Sequence, residues 1–135
     1  MKTTNYYNTF IEVAEDCPVS SAEEPPQRKR KSAVRSQYEI ISSHPYEFTS
    51  DDVIFSIFAA KNEIPQQKKA EERKQFFSKG RACLRSSALG KRYGWGIHSD
   101  AEGKIAIYAV ESDNYDRFAN DPDLNHLKAM RSKRG

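Results

Sequence analysis

The stretch from Tyr93 to Val110 does most to limit the fold. Tyr93-Gly94-Trp95-Gly96-Ile97-His98 alternates in character, Ser99-Asp100-Ala101-Glu102-Gly103 supplies a turn, and Lys104 to Val110 alternates again. Two runs of period 2 about a turn containing Asp and Gly specify an antiparallel hairpin, because successive strand side chains point to opposite faces. In the second run Ile105, Ile107 and Ala109 share one side and Ala106, Tyr108 and Val110 the other. A hairpin alone cannot bury enough apolar surface, so it requires another strand and a covering layer of helices. Thr9 to Ala14, branched and aromatic and ended by Cys17-Pro18, is the expected third strand.

The helical cover is read from caps and breakers. Ser32 is placed to cap a helix over 33–42, with Val34, Tyr38 and Ile41 on one face and His44-Pro45 ending it. Thr49 and Asp52 have capping-box spacing ahead of Val53 to Ala60. That run is branched and aromatic enough to be a strand, and the cap favours a helix. A surface helix over 67–79 closes at Gly80, a short strand is expected at Ala82 to Arg85, and a short helix at Asp113 to Ala119. Asp121-Pro122 before Leu124, Leu127 and Met130 predicts a last helix over 122–131. The expected architecture is α+β, a single domain over 1–135, with a small antiparallel sheet containing the 93–110 hairpin and covered by three or four helices.

Residues 18–31 hold Pro18, Pro25 and Pro26 among small polar residues and end in Arg28-Lys29-Arg30-Lys31. Too little apolar surface is present to offset ordering entropy, which predicts a mobile loop. The basic run on it would meet phosphates in a salt-sensitive way or serve as a solubilising flank. Charge is unevenly laid out: residues 61–92 carry a net +7 and residues 93–125 a net −5, within a total of +3. A basic middle segment gives an anion-attracting patch unless the acidic block folds against it.

No apolar run, Ile57 to Ala60 included, comes near the ~20 residues a membrane helix needs, and the first residues do not resemble a signal peptide. Cys17 and Cys83 lie 66 positions apart, which is neither a disulfide framework nor a zinc knuckle. Cytoplasmic residence with both thiols reduced, and no metal or cofactor, is the expectation.

Several stretches resemble a family of small uncharacterised bacterial proteins, a domain of unknown function. They are Thr4 to Pro18, Pro45-Tyr46-Glu47-Phe48-Thr49-Ser50-Asp51-Asp52-Val53, Phe76 to Ser87, Lys91 to Ser99 and Lys128 to Arg134. The likeness spans nearly the whole chain. It implies a soluble bacterial protein and supplies no catalytic residue.

Candidate chemistry gathers in 79–98. Arg81, Arg85, Lys91 and Arg92, with Lys79, Tyr93 and Trp95, would clamp a phosphate or carboxylate, since each guanidinium presents a rigid five-donor fork. A helical turn starting at Ser86-Ser87 would add N–H groups to the same anion, and Trp95 with Tyr108 would offer rings for a nucleotide to stack on. Gly94 and Gly96 suit either a bulge or the close approach of a ligand. These residues predict a small binding module for an anionic ligand, nucleotide or protein partner; nucleic acid is the less favoured occupant. Two other readings stand beside it. Cys83 or His98 with Asp100 would form an enzyme's thiol and acid–base pair, or exposed Tyr6, Tyr7 and Tyr46 would serve a protein-interaction module without a small ligand.

Overall fold

The computed structural model describes residues 2–132; Lys133 and Arg134 of the basic tail lie outside the described residues. The fold is mixed α+β. Its sheet has four strands: β1 (Thr9–Glu12), β2 (Trp95–Ser99), β3 (Ile105–Ala109) and β4 (Asn125–Lys128), in the order β3-β2-β1-β4. The hairpin forms as expected, Trp95 opposite Ala109 and Ser99 opposite Ile105, and β1 adds antiparallel to β2.

Two expectations are corrected. Residues 122–131 are not a helix: β4 lies parallel to β1, with Ile11 opposite Leu127. Asp121 spends its side chain on an Asx turn, accepting from Asp123 N at 2.8 Å, and its carbonyl accepts from Leu124 N. Leu127 and Ala129 then face inward with period 2. The sheet is therefore mostly, not wholly, antiparallel. The short strand at 82–85 is also absent. No neighbour offers it a ladder, and a 3-10 turn over Leu84–Ser86 forms, with Ser86 N and Oγ both donating to Cys83 O.

Helices lie on both sheet faces. One face, built on Ile11, Ile97 and Ile105, packs against α1 (Ala33–Ser43), α2 (Ser50–Lys61) and the short α4 (Ala88–Lys91) through Ile41, Val53 and Leu89, joined by Leu84 of the 3-10 turn. On the opposite face Phe10, fully buried, meets Tyr115 and Phe118 of α5 (Asp113–Ala119). The cap at Thr49 decides the 53–60 ambiguity. Its hydroxyl accepts from Asp52 N and Asp52 Oδ2 accepts from Thr49 N, a complete capping box at the start of α2. A second core of Phe55, Ala59, Phe76 and Phe77 joins α2 to α3 (Lys69–Phe76). The expected 67–79 helix is shorter than its charge pattern implies, because Phe77 leaves the helical path to bury its ring completely.

Two buried polar anchors tie the ends of loops to this frame. Asp51, only 2% exposed, accepts from Thr3 Oγ1, Thr4 N and Thr4 Oγ1, which fixes the chain before β1 onto the start of α2. Arg35, 7% exposed, donates to Glu39 at 2.7 Å, Glu24 at 3.1 Å and the Pro25 carbonyl at 3.0 Å.

Candidate anion-binding cleft

Each basic residue expected to clamp an anion in 79–98 has a geometry of its own. Arg81 folds back on the end of α3, its Nε donating to Phe76 O at 2.7 Å and its guanidinium 4.0 Å from the Phe76 ring centre. Arg85 reaches the other way, donating to Lys128 O at the end of β4. Arg92 faces Glu23 at 3.8 Å and lies over Tyr93, while Lys91 closes α4. Trp95 is half-buried, 5.4 Å from the Tyr38 ring, and its indole N–H donates to Glu23 O. The structure thus brings Arg92, Tyr93 and Trp95 to the segment around Glu23, and sends Arg81 and Arg85 to separate elements. Leu89 N, one of the N–H groups expected to reinforce an anion, is taken by Ser87 Oγ.

The two glycines answer to packing within the chain. A Cβ on Gly96 would stand 2.6 Å from Tyr115 and 2.7 Å from Phe10. Gly94 has φ +82 and lies against Val19 and Ala22. That contact, with Glu23 N donating to Tyr93 O and Ala22 N to Glu111, lays residues 19–25 along the start of β2.

Cys83, His98 and Asp100 stand in different surroundings. The Cys83 thiol is 3.2 Å from Tyr6 OH, and burial together with this contact pushes the Tyr6 phenol up to about 12. A small cleft of about 270 Å³ opens beside Cys83. His98 Nδ1 pairs with Tyr46 OH at 2.7 Å, and Tyr46 OH with Tyr108 OH at 2.7 Å. The imidazole stacks on Phe118 at 4.2 Å. Burial lowers the His98 pKa, against the pull of Asp100 and Asp121. Asp100 directs Oδ1 to the turn amides of Glu102 and Lys104. Among the described residues no group of three or more His, Cys, Asp or Glu is arranged to hold a metal, both cysteines are free, and no helix is long and apolar enough to cross a membrane.

Positive charge without an ion pair also lies outside 79–98. Arg28, Lys29, Arg30 and Lys31 are all exposed and line one wall of a cleft of about 1060 Å³. Across it stands the C-terminal turn of α2, with Ile57, Ala60 and Lys61. Ser32, Ala33 and Ser36 from the first turns of α1 complete the lining. The basic segment is held at both ends. Pro25 is buried with its carbonyl on Arg35, and Ser32 Oγ caps α1 by accepting from Arg35 N. Lys31 pairs with Glu39; the ion pairs among the described residues include none with Arg28, Lys29, Arg30 or Lys61. A second cleft, of about 450 Å³ beside Phe58 and Phe76, includes Lys79 and Arg81 but also Glu72. Sequence reasoning singled out the 28–31 run but missed its opposite wall. Lys61 at the close of α2 was the available signal, and only the α1–α2 packing turns it toward the run.

A mixed sheet with helices on both faces and a basic cleft define a small α+β chain. The chain belongs to the family of unknown function DUF6157, which it matches over residues 1–135. No curated protein matches it, and no solved structure does.

Proposed function

We propose that this protein is a small binding module for an anionic partner, taken up in the cleft between the 28–31 segment and the end of α2. The observation that carries this reading is that every ionisable side chain lining the cleft is cationic, and that Arg28, Lys29, Arg30 and Lys61 face it without an ion pair among the described residues. Arg81, Arg85 and Arg92, by contrast, already meet acceptors of their own chain. Guanidinium groups on a tethered segment present forked donors to carboxylate or phosphate with little further ordering. A reducing cytoplasm is the proposed setting, supported by the unpaired Cys17 and Cys83.

The test is anion affinity with charge-reversed variants. Binding of a fluorescent polyglutamate probe is expected to weaken at least about tenfold in R28E/R30E, from the loss and inversion of two direct contacts. K74E/R92E makes a matching double charge reversal at two exposed positions outside the cleft lining and is expected to shift affinity by less than about twofold. Equal losses in both would assign the effect to overall charge and overturn the reading.

A further inference from the structure

We propose that the occupant of the basic cleft is an acidic segment of a partner protein that carries aliphatic side chains between its carboxylates. This rests on the anion-binding reading above and names the chemistry of its partner. The uncharged part of the lining is partly aliphatic, with Ala33, Ile57 and Ala60 beside Ser32 and Ser36. No aromatic side chain lines the cleft. A nucleic acid strand would find cations there without a ring to stack on, and stacking supplies much of single-strand affinity. A free phosphate would leave most of a volume of about 1060 Å³ unfilled. Arg28, Lys29, Arg30 and Lys31 all line the cleft, the chain bending at Lys29 and Arg30, so four cations are gathered on one wall. Carboxylates repeated along a peptide meet such a wall at more than one point, with Arg28 and Arg30 each able to take one as a fork. Aliphatic side chains of that peptide then meet Ala33, Ile57 and Ala60, and Lys61 beside them adds a further charge contact.

The experiment uses the full chain and three labelled probes of equal net charge: a peptide alternating Glu and Leu, one alternating Glu and Ser, and a thymidine oligonucleotide. The Glu–Leu peptide is expected to bind about tenfold more tightly than the Glu–Ser peptide, the equivalent of one buried leucine side chain. Ala33→Glu places an acid in the first turn of α1, where the helix dipole favours it and the fold is kept. It is expected to weaken the Glu–Leu peptide about tenfold at an unchanged melting temperature. Equal affinity for the two peptides would overturn the aliphatic-acidic partner and leave the anion site standing. Tighter oligonucleotide binding would overturn it in favour of nucleic acid. Self-association at low salt, abolished by Ala33→Glu, would assign the cleft to a second copy instead. Absence of binding by all three probes at low salt would remove the anion site as well.

Discussion

Gly96 is enclosed by rings on two elements: Tyr115 of α5 and Phe10 of β1 both stand within 2.7 Å of where its Cβ would be. Neither neighbour is the free end of a flexible chain, since Phe10 is fully buried and Tyr115 nearly so. Tyr115 is held further by donation from Val13 N to its hydroxyl at 2.9 Å. Gly96→Ala is therefore expected to cost about 1–3 kcal/mol by overpacking, read as a lowered urea midpoint at unchanged slope. The same residue shows what a sequence conceals. A glycine beside a tryptophan marks a close approach, but the chain alone does not reveal whether the approaching group is a ligand or the protein's own ring. The arginines pose the same difficulty. Arg81, Arg85 and Arg92 lie within a dozen positions of one another, and their guanidinium groups meet α3, β4 and the segment at Glu23 respectively.

Elements specified by local chemistry were legible. The Ser32 cap, the Thr49–Asp52 capping box and the hairpin alternation each act within a few residues, and each forms as read. Strand β4 was not, because its identity comes from pairing with β1 rather than from its own spacing. Leu124, Leu127 and Met130 imitate a helical stripe, yet Met130 is about half exposed. The 28–31 segment, an element without regular structure, has its geometry set by Arg35. Arg35→Met is expected to release it, since hydrogen bonds to charged groups contribute roughly 1.5–3 kcal/mol each. Trypsin cleavage at 28–31 should then accelerate roughly tenfold. Acid should loosen the same clamp. Hydrogen bonds from Lys31 and then Arg35 lower the Glu39 pKa below its ordinary 4.5. A carboxylate whose folded pKa is depressed contributes its full stabilisation above the ordinary value and loses it as the pH falls through the lower one. Amide exchange in the first turns of α1, corrected for intrinsic rates, is expected to rise in that window and to remain flat above it.

Across the whole molecule the basic and acidic blocks of sequence do not translate into a basic half and an acidic half. Within the +7 of residues 61–92, Arg73 pairs with Asp52 and Arg92 with Glu23, while the six lysines of the block have no ion pair among the described residues. The 28–31 run, outside that block, adds further unpaired cations. The fold class was readable because a hairpin with capped helices leaves few ways to cover a sheet. The cleft was not, since its walls are about 30 positions apart and meet only when α1 packs on α2. Truncation after Leu124 removes β4 and is expected to abolish cooperative unfolding, monitored by the near-ultraviolet dichroism of Trp95, because β1 then loses its parallel partner and Ala129 its buried place. Since β1 is threaded between β2 and β4, the first of the sheet's four strands to be made has both of its neighbours still to be synthesised. The sheet is completed only when the 125–128 stretch clears the exit tunnel, and a chain stalled before that point presents a bare strand edge to chaperones and proteases.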